Sequence, residues 1–253
     1  MIKNILVAIG DMPHEKNAFE YAGHLAVLLD AHLSCVFFQD NEGQVQQDLA
    51  DKVVAHTEAE CNEYDFLDTH VEVVTGRRTE TICQKARSAD LVVIGIPESI
   101  KTDGLKLTFN QIDDVLLRIT KPTIVVHEQC TFLSKILAVH RDDSSSDRVL
   151  ELATELGERA KASLLGLALE ETEIKTAQIT QQMKDYLQFH NVDAEFITML
   201  GFTVGNILNT AATNDCDLIA VSASHHGRLY ERIFQSTTET VVKLATRAVM
   251  VAR

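Results

Sequence analysis

The sequence predicts an α/β fold built from two tandem copies of a five-stranded, parallel, doubly wound domain. Three observations carry that expectation. First, the chain repeats itself. Lys3-Asn4-Ile5-Leu6-Val7-Ala8-Ile9 returns as Lys135-Ile136-Leu137-Ala138-Val139, and Ala89-Asp90-Leu91-Val92-Val93-Ile94-Gly95 as Asp217-Leu218-Ile219-Ala220-Val221-Ser222. Pro122-Thr123-Ile124-Val125-Val126 returns as Ala248-Val249-Met250-Val251. Corresponding positions lie about 125–131 residues apart, the length of a domain rather than of a solenoid repeat. Second, the repeated segments are continuous apolar runs, as expected of parallel strands buried on both faces. Third, helical patterns separate those runs, and parallel strands need such crossovers.

The elements follow in order. Asn4–Ile9 reads as the first strand, and Ala18, Tyr21, Ala22, Leu25, Ala26 and Leu29 form the apolar face of a helix. Leu33–Phe38 is the second strand, followed by a polar helix over Gln44–Phe66. Val71–Val74, the short helix Glu80–Ala86, Leu91–Ile94, the helix Asn110–Ile119 and the strand Thr123–Val126 complete the first half. The second half has strands at Ile136–Val139, Ser163–Leu169, Ala194–Met199, Leu218–Val221 and Val249–Val251. Its helices are expected at Ser145–Lys161, Lys175–Phe189, Val204–Ala212 and Ser236–Ala245. Five strands and four helices per half make an open Rossmann-like sheet. The domains are expected at 1–129 and 130–253, with Glu128–Phe132 as a short linker.

Composition narrows the function classes. The chain has 253 residues and a net charge of −14, which opposes binding to nucleic acid or to an anionic membrane surface. An acidic surface also repels free ATP unless a local nest of backbone amides overrides it. The amino-terminal apolar run is short and is broken by Gly10-Asp11, so no signal peptide or membrane helix is expected. The five cysteines are scattered with no Cys-x-x-Cys, which suits a reducing cytoplasm.

The pattern KNILVAIGD…FEYAGHLAVLLDAHLSCVFF…VEVVTG…DLVVIG…KPTIVV, present twice, resembles the universal stress protein family over the whole chain, in its tandem two-domain form. Gly76 and Gly201 after the third strands belong to the same pattern. The resemblance implies that the two last strands pair across the halves, giving an internal pseudo-dimer; a further homodimer surface is left open. It also implies where nucleotide would bind. Members that hold ATP carry Gly-x2-Gly-x9-Gly-Ser/Thr after the fourth strand and an aspartate at the end of the first.

This chain departs from that signature in both halves. In the second half the glycine positions fall on Ser222, His225 and Gln235, with Gly227 two residues late, and only Ser236 matches. The aspartate position falls on Arg141, followed by Asp142 and Asp143. In the first half Gly95 matches, Glu98 and Phe109-Asn110 do not, and the loop is one residue longer. Gly10 stands at the aspartate position, with Asp11 one place late.

Plain structural roles account for several of these residues. Ser236-Thr237-Thr238-Glu239 fits a capping box, and Asn110 with Asp113 an analogous helix start. Gly76 and Gly201 are expected as turn residues, and Arg77-Arg78 as a solvated pair. His225-His226 has no ligand-spaced cysteine or carboxylate beside it, so no metal is expected. The candidate ligand site is a small basic pocket at the carboxyl ends of the second-half strands. Its residues are Arg141, Asp142, Ser222, His225, His226, Gly227, Arg228, Ser236 and Thr237, with His140 nearby.

The expected function is therefore a cytoplasmic stress-response regulator or scaffold with degenerate nucleotide motifs, needing no cofactor and acting on a protein partner or small molecule. The alternative is an ATP- or AMP-binding member with an atypical phosphate loop. No Walker loop or Gly-x-Ser-x-Gly elbow is present, so the chain is not read as an enzyme, with weak ATP hydrolysis left open.

Overall fold

In the computed structural model of the chain, residues 1–39, 44–63, 68–96, 114–127, 132–223 and 237–253 are described. Contacts divide it into two units, Met1–Cys130 and Thr131–Arg253. The first unit runs β1 (Asn4–Ile9), α1 (Pro13–Leu29), β2 (His32–Gln39), α2 (Gln44–Glu63), β3 (Thr69–Thr75) and α3 (Arg78–Lys85). It continues through β4 (Leu91–Gly95), helical residues 114–118 (α4) and β5 (Thr123–Val126). All its strand pairs are parallel, in the order β3-β2-β1-β4-β5.

The second unit repeats the plan. Its elements are β6 (Lys135–His140), α5 (Ser144–Ala160), β7 (Ser163–Glu170), α6 (Glu173–Leu187) and β8 (Ala194–Leu200). They are followed by α7 (Val204–Thr213), β9 (Leu218–Ser222), α8 (Thr237–Leu244) and β10 (Ala248–Ala252). The order β8-β7-β6-β9-β10 mirrors the first unit strand for strand.

Physical causes for the elements are local. Pro13 stands in the first turn of α1, where its missing N–H costs nothing, and Asp30 ends the helix in the left-handed region. Asp143 caps α5 by accepting from the Ser146 amide, Thr172 caps α6 and Thr203 caps α7. These caps explain why α5 and α6 begin one and two residues before their expected starts. The edge strands β3 and β8 alternate in burial, so β3 extends beyond the apolar Val71–Val74 into its polar ends. Of the expected elements, the last residues of the Gln44–Phe66 helix, the start of the Asn110–Ile119 helix and most of the Glu128–Phe132 linker lie outside the described residues.

The duplication extends to single hydrogen bonds. Asp90 Oδ2 accepts from the amides of Lys3 and Asn4 at 2.9 and 3.0 Å. Asp217 Oδ2 does the same for Ser134 and Lys135, at 2.9 Å each. Each carboxylate fixes the start of a first strand against the start of a fourth. The repeated aspartate before the fourth strand thus has a structural role. In both units the strand order reverses between the first and fourth strands, which opens a crevice at their carboxyl ends.

Candidate functional site

In the first unit the crevice lies beyond Ile9 and Gly95, and the first turn of α1 packs against Gly10 and Gly95 there. The Glu15 carboxylate packs directly on Gly10: a Cβ there would stand 1.9 Å from Glu15 Oε2. A Cβ on Gly95 would stand 1.9 Å from the carbonyl oxygen of His14, so only glycine lets α1 approach the end of β4 this closely. Glu15 is buried, and its charge is answered from two sides. The Met12 amide donates to Oε2 at 3.2 Å, and Arg78 Nη2 donates to Oε1 at 2.6 Å.

Arg77 and Arg78 therefore part company. Arg77 reaches Glu80 at the surface, as a solvated side chain would. Arg78 instead turns onto a buried carboxylate and departs from the expected solvated pair. Gly76 and Gly201 have φ of +149° and +80°, a region glycine enters freely, in keeping with a turn after each third strand. Asp11, one place beyond Gly10, faces outward to Lys16 at 3.0 Å and Lys52 at 3.5 Å. The hydrogen bond from Lys16, with the charges of both lysines, holds its carboxyl below the usual aspartate range.

In the second unit the equivalent position of Glu15 is Ser146, in the same turn of α5. It is fully buried, and its Oγ donates a long hydrogen bond of 3.4 Å to Ser222 Oγ at the end of β9. The Ser222 carbonyl accepts from Thr238 Oγ1 at 2.7 Å, tying the first turn of α8 to the same strand end. Of the sequence-predicted residues, Ser222 thus lies at the crevice, held by Thr238, while Thr237 precedes that threonine as the first residue of α8. The Arg141 guanidinium lies 4.4 Å from the centre of the Phe202 ring, held as a cation over an aromatic face. The Asp142 amide donates to Glu170 Oε1 at 3.5 Å. His225, His226, Gly227, Arg228 and Ser236 lie outside the described residues, as do Glu98, Phe109 and Asn110.

His140 closes β6 with its ring buried and its Nε2 3.2 Å from Asp147 Oδ1. Among the described residues its Nδ1 has no hydrogen-bond partner. Burial lowers its pKa, against the opposing charges of Asp147 and Asp143. Sequence reasoning missed Glu15 and Ser146, and it read Arg78 as solvated. Glu15 lacks the Ser or Thr three residues earlier that marks a capping box, since Met12 stands there. Among the described residues no three His, Cys, Asp or Glu side chains group as a metal site needs. No described helix is long and apolar enough to cross a membrane.

With this geometry in view, comparison with known proteins is decisive for the family. The profile of the Universal stress protein family matches residues 1–127 and 164–253. The chain belongs to that family. The second match begins after β6 and α5, the segment that carries Arg141, Asp143 and Ser146. A universal stress protein from Archaeoglobus fulgidus aligns over 99% of this chain and 98% of its own, at 16% identity and a TM-score of 0.80. A functionally unknown protein from Pseudomonas aeruginosa PAO1 aligns over 99% of this chain and 92% of its own, at 16% identity and a TM-score of 0.74. These two share the tandem fold along the whole universal stress protein chain. A universal stress protein solved in complex with cAMP covers 48% of this chain and 97% of its own, at 16% identity and a TM-score of 0.44. No curated protein matches the sequence.

Proposed function

We propose that this universal stress protein is a cytoplasmic regulator or scaffold with degenerate nucleotide-binding motifs in both halves, rather than an enzyme. The observation that carries the reading is Glu15. Its carboxylate lies on Gly10, in the crevice where a nucleotide would need room and positive potential, and Arg78 is already committed to it. A triphosphate entering there would meet a like charge and would have to displace an internal ion pair. Equilibrium dialysis of the full chain with labelled ATP and AMP tests this. The regulator reading expects no saturable binding up to millimolar nucleotide and no hydrolysis above background.

A second reading, nucleotide held in the second unit, has one observation in its favour. The position of Glu15 is there the neutral Ser146, with Arg141 at the end of the neighbouring strand. It expects a single saturable site per chain. Saturable binding at two sites per chain would overturn both readings.

A further inference from the structure

Glu15 is a buried carboxylate held in the way a bound anion is held. Its Oε1 accepts from Arg78 Nη2 at 2.6 Å and its Oε2 from the Met12 amide at 3.2 Å. Gly10 lies behind it, and only the missing Cβ there leaves room for Oε2. A guanidinium on one oxygen and a backbone amide on the other are the donors with which proteins hold carboxylates and phosphates. We infer that Arg78 and the Met12 amide, over Gly10, form a phosphate-group site in the first unit, kept shut by Glu15 as a tethered occupant. The inference rests on the reading that the first crevice takes no nucleotide in the native chain.

Helix capping alone does not call for the arginine. Helices α5, α6 and α7 begin with Asp143, Thr172 and Thr203, each accepting a backbone amide of its own first turn. The duplication also keeps the two charges together. Where the second unit has Ser146 in place of Glu15, it has Thr203 two residues after Gly201, as Arg78 stands two residues after Gly76. Carboxylate and cation are absent as a pair.

The local charges suit an anion although the chain as a whole is acidic. Next to Gly10, the single carboxylate of Asp11 meets both Lys16 and Lys52, at 3.0 and 3.5 Å. With Glu15 swung away, Arg78, Lys16 and Lys52 stand against Asp11 alone among these groups. Arg77 adds nothing, since it is tied to Glu80. The Arg78 side chain is part-exposed, so a solute can reach it. A tethered carboxylate competes at an effective concentration on the order of millimolar, which closes the site to dilute anions. A phosphate monoester carries about 1.5–2 negative charges near neutral pH against one on Glu15, and so answers the three cations better.

The test titrates inorganic phosphate into the full-length protein at fixed ionic strength, followed by phosphorus NMR. The proteins are wild type, Glu15→Ala, Glu15→Gln, Arg78→Ala and Glu15→Ala/Arg78→Ala, each checked for native circular dichroism. Phosphate held elsewhere on the chain is common to all five and cancels. Glu15→Ala should gain one site, at least about tenfold tighter than any first-unit binding in the wild type. Glu15→Gln should gain a weaker one, and the double variant none. No gain in folded Glu15→Ala would overturn the inference and leave the regulator reading standing, as would a gain that survives the loss of Arg78. Should Glu15→Ala fail to fold, Glu15→Gln keeps the shape of the side chain and decides by the same two criteria, alone and combined with Arg78→Ala. Wild-type phosphate binding that Arg78→Ala removes would reveal an open site and overturn both.

Discussion

Arg78 Nη2 stands 2.6 Å from Glu15 Oε1, joining the first turn of α3 to the first turn of α1 above the end of β1. The contact spans 63 positions of sequence, so it is a tertiary clamp rather than a helix-surface pair. It places a carboxylate and its counter-charge in the first unit's crevice.

Removing Arg78 should destabilise the protein more than an ordinary surface pair would. The Glu15 side chain is 7% exposed, so Arg78→Ala strands a buried charge with only the Met12 amide for support. Arg78 itself is 38% exposed, and water screens part of the loss. The expected cost is about 1–3 kcal/mol. Glu15→Gln should recover part of it in the Arg78→Ala background. Urea unfolding of the two single variants and the double variant measures the coupling, and a coupling near zero would discard the clamp.

Two glycines should respond to alanine in opposite directions. At Gly95 the added methyl meets the His14 backbone oxygen, which cannot swing aside without moving α1. Gly95→Ala should cost at least about 1–3 kcal/mol through overpacking. Gly205 lies in the first turn of α7, with nothing nearer than Thr203 Oγ1 at 4.0 Å. Gly205→Ala should gain up to about 0.5–1 kcal/mol from the lower entropy of the unfolded chain. Thermal unfolding of both variants tests the contrast, and a harmless Gly95→Ala would show that α1 does not depend on the close approach.

The fold was legible because its signals are periodic and local. Apolar runs such as Asn4–Ile9 and Leu218–Val221 can only be buried strands, and the duplication shows each of them twice. The half-exposed edge strand β3 was legible only at its apolar centre. The site was less so. Ser222 was singled out by its place in a motif, yet its partner Ser146 is 76 residues away with no sequence mark. Arg78 read as a solvated residue because its neighbour Arg77 is one, and a helix start puts the two on different sides. Contacts between distant segments leave no periodicity to read.

Acid should weaken the second unit through His140. Burial lowers the pKa of the ring, with Asp147 and Asp143 opposing. Its folded pKa lies below the ordinary histidine value of about 6.5, so the unfolded chain takes up the proton first as pH falls. The neutral ring's contribution is thus complete above that value and is lost below it, until the folded ring also protonates. The slope from this residue is at most about 1.4 kcal/mol per pH unit. Urea unfolding at about pH 7.5 and 5.5 should show a smaller difference in His140→Asn than in the wild type. An unchanged difference would rule His140 out as a source of acid sensitivity.

The two crevices should differ if any phosphate compound binds at all. The first holds the Glu15 carboxylate, and the sequence adds Glu98 and Phe109 to its loop. The second offers the neutral Ser146 and Ser222 and the start of α8, with Arg141 following β6 and its guanidinium over Phe202. Arg141 lies over the Phe202 ring and has no ion pair among the described residues, so a ligand phosphate would gain a cation without displacing a carboxylate described there. Arg141→Ala combined with Ser236→Ala should therefore weaken any measured ATP or AMP affinity by roughly tenfold or more, since one charge-assisted contact is worth about 1.5–3 kcal/mol. Asn110→Ala should leave it unchanged. Isothermal titration of the three proteins against the same nucleotide decides the ranking. Equal loss from both sets of substitutions, or none from the first, would move the site elsewhere.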